Sequence, residues 1–164
     1  MNLIIVNESD EEIGVKDRPD LNPKTDIYRV SALWVLNGRG EVLLAQRAHN
    51  KKQQPGKWAA SVAGTVEEGE TYESNIYKEA REELEIVGLV FKKGPKIRVA
   101  DDYNFFCQWY LVNIDQPAKE FVFQKSEVAQ VKWANIADVA KRISEHPEEF
   151  TPSMGMHIKV IEDV

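Results

Sequence analysis

The sequence predicts an α/β fold in which helices cover both faces of a mixed β-sheet. Runs of β-forming residues precede and follow one acidic helical segment, and a second amphipathic helix lies near the end of the chain. This order of elements is typical of a layered α/β domain. The 164 residues suffice for one hydrophobic core, so we expect a single domain over 1–164.

The composition narrows the range of functions. Apolar residues make up 43% and charged residues 29% of the chain, as in a globular protein rather than a disordered one. The formal net charge is −6 without a large basic cluster, so we expect no nucleic-acid polymer as partner. No apolar run approaches a membrane span, and no signal-peptide pattern is present. The one cysteine, Cys107, is expected to be buried, in a reducing, cytoplasmic location.

Two hairpins are predicted in the first part of the chain. The runs 3–6 and 13–15 are rich in β-formers and surround a polar turn, so they form an N-terminal hairpin within 1–25. The long apolar run 27–36 and the run 41–46 are separated by Asn-Gly-Arg-Gly, which predicts the second hairpin.

A polar, basic segment follows the second hairpin. Its basic residues are Arg47, Lys51, Lys52 and Lys57. Because such side chains bind phosphate oxygens, we expect Arg47 and Lys57 to contact an anionic substrate, although a solubilising loop explains the lysines equally well. His49 has no spaced partner and is expected to be solvated rather than a metal ligand. A short strand over 58–63 follows.

The second half of the chain contains further strands and one helix. The predicted strands cover 87–91, 97–100, 105–114 and 128–133. Asn135 is a suitable N-cap for an amphipathic helix over 136–145, and Pro147 ends it. The segment 157–160 fits a turn of helix or a short strand equally well.

The segment 72–84, between the two groups of strands, predicts an amphipathic helix. It contains no Gly or Pro, and Thr71 is a suitable N-cap. Its apolar residues recur every four positions and form one stripe: Tyr72, Ile76, Ala80 and Leu84.

Three glutamates on this helix indicate a metal site. Glu79, Glu82 and Glu83 are spaced i, i+3 and i+4, so their side chains project from neighbouring positions. At about 100° per residue, Glu83 falls inside the apolar stripe, where burial and like charge oppose ionisation. A divalent cation such as Mg²⁺ or Mn²⁺ would offset that cost. Most glutamate-rich helices merely present a solvated face, but the loop before this helix favours metal binding.

The stretch 64–86 resembles the signature box of the Nudix hydrolases. That box is Gly, five residues, Glu, seven residues, and then Arg-Glu-aliphatic-x-Glu-Glu-x-Gly-aliphatic. The residues in register are Gly64, Glu70, Glu79, Ala80, Glu82, Glu83 and Ile86. Lys78 replaces the family's Arg and Glu85 replaces its second Gly, so the 23 positions contain two departures.

The resemblance implies a Nudix-type α/β/α sandwich with a mixed β-sheet, and metal-binding roles for the box glutamates. Glu79 and Glu83 would bind Mg²⁺ or Mn²⁺ directly. Glu82 would bind it directly or through water, or act as the base.

The resemblance also implies that Gly64, Glu70 and Lys78 shape the loop before the helix. Lys78 would pair with Glu70 as a point charge, without the planar fork of arginine. Glu85 removes the glycine expected after the helix, a role that Gly88 would take over.

The activity implied is metal-dependent hydrolysis of the diphosphate bond in a nucleoside diphosphate linked to another group. The metal would neutralise charge on the phosphoryl oxygens, and a carboxylate would take a proton from water. Glu82 is one candidate for this base. Glu127 is another, because some Nudix enzymes take the base from a downstream loop, although a solvated glutamate is the simpler interpretation. A homodimer is compatible with the sequence.

Residues outside the box resemble the branch of the superfamily that includes isopentenyl diphosphate isomerase. They are Tyr28-Arg29, Leu44-Ala45-Gln46-Arg47, Lys51 and Pro55-Gly56-Lys57-Trp58. That enzyme uses a cysteine just after the matching tryptophan and a nearby metal-binding histidine, whereas 59–63 contains neither. We therefore expect isomerase-like architecture with hydrolytic chemistry. A third alternative is an inactive binding protein, but none of the three glutamates is missing.

Overall fold

The computed structural model describes residues 1–162, which form a mixed β-sheet and three α-helices. The strands are β1 (Asn2–Val6), β2 (Glu12–Asp17), β3 (Ile27–Leu36), β4 (Glu41–Arg47), β5 (Trp58–Ala59), β6 (Val62–Thr65), β7 (Lys92–Ala100), β8 (Asn104–Asn113) and β9 (Val128–Asn135). The helices are α1 (Tyr72–Leu84), α2 (Ile136–Glu145) and α3 (Met154–Glu162). Short 3-10 turns cover Arg18–Asp20, Ala118–Glu120 and Pro147–Glu149.

The long strand β3 lies at the centre of the sheet. β8 runs parallel to it along one edge. On the other edge β3 pairs antiparallel with β1 at its start, with β6 over its middle and with β4 at its end. β2 extends the sheet beyond β1, β7 extends it beyond β8, and β4 also pairs with β5 and β9. Because β3 is paired on both edges and covered on both faces, its sequence is an almost continuous apolar run.

Side-chain alternation along β3 divides the core into two layers. The layer beneath α1 includes Leu33, Val35, Ile76, Ala80 and Leu84. The layer beneath α2 and α3 includes Ala32, Trp34, Leu36, Val139, Met154 and Ile158. Helices therefore cover both faces of the mixed sheet, which confirms the predicted α/β/α fold.

The two C-terminal helices pack on the face opposite α1. Asn135 caps α2 as predicted, because its side-chain oxygen accepts the N–H of Ala137 at 3.0 Å and of Asp138 at 3.3 Å. The segment 157–160 lies within α3 and is helical. None of the helices described within residues 1–162 is long and apolar enough to cross a bilayer.

The prediction of a strand over 87–91 is wrong. This segment is irregular, and β7 begins at Lys92. Val90 is 89% exposed, and the Phe91 N–H donates to the Tyr77 hydroxyl at 2.9 Å rather than to a neighbouring strand. A short apolar run has no periodicity that separates a strand from an exposed connection.

The predicted strand 58–63 consists of two shorter strands with different partners. β5 pairs with β4, and β6 pairs with β3. Between them, the buried Ser61 hydroxyl accepts the Val35 N–H at 2.9 Å and donates to the Leu43 carbonyl at 2.6 Å. Ser61 thus satisfies backbone groups of β3 and β4 at the point where the chain crosses from one strand to the other.

Candidate active site

The first turn of α1 sets the direction of the acidic helix. Thr71 caps it as predicted: the Thr71 hydroxyl accepts the Ser74 N–H at 3.0 Å, and the Ser74 hydroxyl accepts the Thr71 N–H at 2.9 Å. This reciprocal pair fixes the start of the helix and therefore the directions in which its later side chains project.

Lys78, Glu67 and Glu70 form a partly buried ion cluster in the loop before α1. Lys78 Nζ lies 2.8 Å from a Glu67 oxygen and also donates to Glu70. The other Glu70 oxygen accepts the Glu67 N–H and the Asn75 side-chain amide, each at 2.9 Å. Burial alone would raise the pKa of Glu70, but these donors hold it below its usual value. Lys78 therefore joins two carboxylates of the loop.

Asn75 is a structural residue that the sequence analysis did not single out. It is completely buried, donates to the Thr65 carbonyl at 3.1 Å and accepts the Ser31 hydroxyl. With its bond to Glu70, these contacts tie the loop and α1 to β3 and β6. One polar residue beside an apolar stripe is a weak signal, because most asparagines face solvent.

Glu79 packs directly against the backbone of Gly64. A Cβ atom on Gly64 would lie 2.3 Å from Cγ and 2.5 Å from Cδ of Glu79, so a larger residue would displace this side chain. The Glu79 side chain is 18% exposed. Burial raises the pKa of Glu79; Lys78 opposes this effect, while the charges of Glu82 and Glu70 add to it.

Glu83 lies one helical turn after Glu79 and is also partly buried. Its carboxylate accepts the backbone N–H of Ala63. Burial, followed by the charges of Glu79 and Glu127, raises the pKa of Glu83 to about 8. These two half-buried carboxylates fit a divalent cation with oxygen ligands, because such an ion offsets the cost of ionising both.

Glu82, in contrast, is exposed to solvent. Within residues 1–162, one group of three side chains has its possible metal-ligand atoms within 4.8 Å of one another: His146, Glu148 and Glu149. The three glutamates of α1 are farther apart than this. Arg142 binds Glu149 at 2.6 Å, and Lys57 donates to the Glu148 carbonyl. The His146 group is therefore a surface cluster that already has cationic partners.

The loop before β9 brings Glu127 to the end of α1. The Gln124 N–H donates to the Glu83 carbonyl at 3.2 Å, and the Glu127 N–H donates to the Gln124 carbonyl at 2.9 Å. The Glu127 carboxylate forms an ion pair with Lys51 at 2.5 Å. The fold thus gathers Glu83, Glu127 and Lys51, which are far apart in the sequence, at one end of the acidic helix.

The two residues predicted to bind substrate have different surroundings. A cavity on the face opposite α1, here called the sheet–α3 cavity, is lined by residues that include Tyr28, Ala32, Arg47, Ala60, Ala63, Phe105, Trp109 and His157. Arg47 therefore lines this cavity, and its Nε donates to the Gln53 carbonyl at 3.1 Å. Lys57 is directed at the Glu148 carbonyl instead, and His49 is exposed.

Comparison with known proteins identifies the family. The sequence model of the NUDIX domain family matches residues 25–154, which is most of the chain. The chain belongs to the NUDIX domain family. The resemblance based on the box at 64–86 is confirmed.

Named relatives of this Nudix protein are of two kinds. Isopentenyl-diphosphate Delta-isomerase 1 of Photorhabdus laumondii is 27% identical over 162 residues, which cover 92% of this chain and 89% of the relative. The uncharacterized Nudix hydrolase YfcD of Salmonella typhi is 28% identical over 149 residues, which cover 90% of this chain and 77% of the relative. The family and its hydrolase relatives identify the chain as a Nudix hydrolase enzyme.

A solved structure has the same Nudix fold over nearly the whole chain. DR0079 from Deinococcus radiodurans superposes with a TM-score of 0.86 at 25% identity and covers 97% of this chain and 98% of its own. The dihydroneopterin triphosphate pyrophosphohydrolase of E. coli superposes with a TM-score of 0.59 at 18% identity and covers 81% of this chain and 93% of its own, which shows the shared fold alone.

The second departure from the Nudix box, Glu85, lies at the end of α1. Glu85 itself adopts the left-handed conformation, with a φ of 50°, and its N–H donates to the Arg81 carbonyl at 3.1 Å. The expectation that Gly88 takes over the role of the glycine is wrong, because the helix has already ended at Leu84. The buried Ile86, whose N–H donates to the Ala80 carbonyl at 3.1 Å, holds the chain in this turn.

Proposed function

We propose that this Nudix enzyme is a divalent-metal-dependent hydrolase of a nucleoside diphosphate linked to another group, and that it cleaves the diphosphate bond. One observation carries the proposal. Glu79 and Glu83 are held half-buried and close together, the first against Gly64 and the second by the Ala63 N–H. Burial, and after it neighbouring negative charge, raises the pKa of both carboxylates, and a divalent cation would offset the cost of ionising them.

The proposed ion is Mg²⁺, with Mn²⁺ as a substitute. Glu79 and Glu83 would hold it directly, and Glu82 directly or through water. When bound, the ion supplies Lewis-acid stabilisation of the negative charge that develops on the attacked phosphate. The protein contributes fixed positions for the carboxylates, which Gly64 and the Ala63 amide provide.

We propose Glu127 as the general base, with Glu82 as the alternative. The charge of Glu127 acts on Glu83, and its backbone is tied through Gln124 to the end of α1. Lys51 orients the Glu127 carboxylate through a 2.5 Å ion pair. A carboxylate fixed in this way is suited to accept the proton of an attacking water.

For the diphosphate group we propose Arg47 as the main protein contact. Among the described residues, its guanidinium binds the Gln53 carbonyl through Nε, which leaves both Nη groups for phosphate oxygens. Lys57 is the weaker candidate, because its ammonium already donates to the Glu148 carbonyl. The proposed partner is thus a small diphosphate compound.

We also propose a cytoplasmic location, with which the buried, unpaired Cys107 is consistent.

The isomerase relatives support a second candidate function, the isomerisation of isopentenyl diphosphate. No cysteine follows Trp58, but Cys107 lines the same cavity as Ala59 and Ala60. Burial raises the pKa of the Cys107 thiol, so this group is protonated at neutral pH. In the isomerase it would act as an acid rather than as a thiolate base.

A substrate panel tests both candidates. Nucleoside diphosphate derivatives and isopentenyl diphosphate are incubated with and without Mg²⁺; phosphorus NMR detects bond cleavage and proton NMR detects movement of the double bond. We expect Mg²⁺-dependent cleavage that Glu83→Gln lowers by about two orders of magnitude or more. Glu73→Gln is the matched control, since it removes one exposed carboxylate from the same helix.

Two outcomes of this experiment would contradict the proposal. Equal cleavage rates for the wild type and Glu83→Gln would exclude the assigned carboxylate, and isomerisation without any cleavage would favour the second candidate.

A further inference from the structure

The side-chain amide of Asn75 is completely buried and fully paired. Its nitrogen donates to the Thr65 carbonyl at 3.1 Å and to a Glu70 carboxylate oxygen at 2.9 Å. Its oxygen accepts the Ser31 hydroxyl. These partners engage both N–H donors and the acceptor of the amide. Because a buried polar group that loses a partner is costly, the amide is held in this one orientation.

Two partners of Asn75 lie beside Gly64. Thr65 follows Gly64 in β6, and Ser31 is paired with Gly64 in the ladder between β3 and β6. Ser31 is also completely buried. The Asn75 amide therefore bonds to both strands at the level of Gly64, the residue against which Glu79 packs.

The same face of α1 carries Asn75 and two of the proposed metal ligands. These three residues are spaced i, i+4 and i+8, so their side chains project in nearly the same direction. They contact three successive residues of β6: Asn75 contacts Thr65, Glu79 contacts Gly64 and Glu83 contacts Ala63. The polar contacts between α1 and β6 thus begin at Asn75 and continue through the carboxylates.

Glu79 has little free space where it meets β6. A Cβ atom on Gly64 would lie 2.3 Å from Cγ of Glu79, so helix and strand are in close contact there. In a close-packed interior, a side chain placed by such a contact moves when the two elements separate. Asn75 lies one helical turn before Glu79, so its bonds to β3 and β6 set that separation.

We propose that Asn75 is a positioning residue of the metal site, which fixes α1 against β6 and thereby places the Glu79 carboxylate for a divalent cation. This inference rests on the proposed function, because the cation is the ligand that Glu79 would hold. Asn75 is not a catalytic residue, since both its donors and its acceptor are already paired within the protein.

A purely structural role for Asn75 predicts a different result, and Asn104 provides the matched control. Asn104 is a second buried asparagine, whose amide donates to the Asp26 carbonyl at 3.1 Å and accepts Arg98 at 2.6 Å. These partners lie outside the box at 64–86. Asn104→Ala should therefore lower the free energy of unfolding without changing metal affinity, whereas Asn75→Ala should lower both.

NMR of the metal-free protein measures the placement of Glu79 directly. The observable is the nuclear Overhauser effect between the α-protons of Gly64 and the γ-protons of Glu79, which are in contact in the structure. We expect this signal in the wild type and in Asn104→Ala. It should be weakened or lost in Asn75→Ala, although the rest of the spectrum shows a folded protein.

Mn²⁺ titration measures the consequence for the site. We expect Asn75→Ala to bind Mn²⁺ about tenfold more weakly than the wild type, as when the support of a metal ligand is removed. Ser31→Ala is the second variant if Asn75→Ala does not fold, because it removes the bond to β3 alone. Its loss of affinity should be smaller but in the same direction.

A double-mutant cycle shows whether Asn75 acts through Glu79. Glu79→Gln weakens Mn²⁺ binding by itself, and Asn75→Ala should add little to that loss when the two substitutions are combined. Residues that act on one another give such non-additive effects, whereas independent residues give additive ones. Fully additive losses of Mn²⁺ affinity would therefore refute a role through Glu79.

Two further outcomes would overturn the inference. One is wild-type Mn²⁺ affinity in Asn75→Ala, and the other is an equal loss of affinity in Asn104→Ala. Either result, together with Mn²⁺ binding by the wild type, would leave the proposed hydrolase intact. A wild type that binds no Mn²⁺ would refute the proposed function instead, and the NMR contact would still test whether Asn75 places Glu79.

Discussion

Gly64 and Glu79 are in contact across the gap between β6 and α1. A Cβ atom on Gly64 would lie 2.8 Å from a carboxylate oxygen of Glu79 and closer still to two of its carbon atoms. The backbone of Gly64 is not in the left-handed region, so the absence of a side chain, rather than conformational freedom, is what the site requires. The Nudix glycine at this position therefore leaves room for the side chain of Glu79.

Gly64→Ala should therefore displace Glu79 while leaving the fold intact. We expect metal affinity, measured by Mn²⁺ titration, to fall by about tenfold or more, in the range found for disturbed support of a metal ligand. The thermal midpoint should change little, because the atoms that must move belong to one side chain. Gly14→Ala is the control, since a Cβ on that strand glycine meets nothing within 4 Å. Unchanged Mn²⁺ affinity in Gly64→Ala would refute this role.

The metal-free protein should lose stability as the pH rises through the titration of Glu83. Burial and neighbouring charges raise the folded-state pKa from the ordinary 4.5 to about 8, so the folded state binds this proton more tightly than the unfolded chain. The contribution of Glu83 is most favourable below about 4.5 and is lost as the pH rises towards 8. Urea unfolding in a chelator, at several pH values, measures this slope.

Glu83→Gln provides the comparison for that slope. Because glutamine does not titrate, the variant should show a smaller decline in stability between pH 5 and 8, roughly the window set by the two pKa values. Mg²⁺ should restore stability to the wild type at high pH and have less effect on the variant. Parallel curves for the two proteins in chelator would show that Glu83 is not the group responsible.

Lys78 should prove essential to the stability of the loop before α1. It is 24% exposed and bonds to both Glu67 and Glu70, so Lys78→Met removes the ammonium donor that two partly buried carboxylates share. We expect a loss of about 1.5–3 kcal/mol in the free energy of unfolding, as for other hydrogen bonds to charged groups. Lys78→Arg, which restores the family's residue, should retain most of this stability.

A surface ion pair is the control for Lys78. Lys141 is 73% exposed and lies 3.9 Å from Glu145, a pair that is worth less than about 1 kcal/mol in most proteins. Lys141→Met should therefore change the free energy of unfolding much less than Lys78→Met. Similar losses in the two variants would mean that the loop cluster adds nothing beyond an exposed pair.

Glu127 should act in catalysis rather than in metal binding. If it is the base, Glu127→Gln lowers kcat by about 10²–10⁴ while the Mn²⁺ affinity stays close to that of the wild type. Glu120→Gln, an exposed substitution in the same connection between β8 and β9, should have no effect on kcat. A large effect of Glu82→Gln and a small effect of Glu127→Gln would assign the base to Glu82.

The elements predicted well depend on residues that are close in the chain. The start of α1 follows from the Thr71 cap, and its core face from the four-residue spacing that ends at Leu84. The bounds of β3 follow from one long apolar run. The prediction for 87–91 is wrong because Val87, Leu89 and Val90 are exposed, and no local pattern distinguishes an exposed apolar residue from a buried one.

The chemical pattern at 64–86 and the order of helices and strands are properties of neighbouring residues, and so the sequence by itself determined the family, the layered fold and the acidic helix. Only the tertiary structure brought Glu127 close to Glu83 and left Trp109 Nε1 and His157 Nδ1 buried without a hydrogen-bond partner among residues 1–162. These relations arise where β8, α3 and the loop before β9 pack together. Contact between distant residues depends on that packing, which spacing along the chain does not encode.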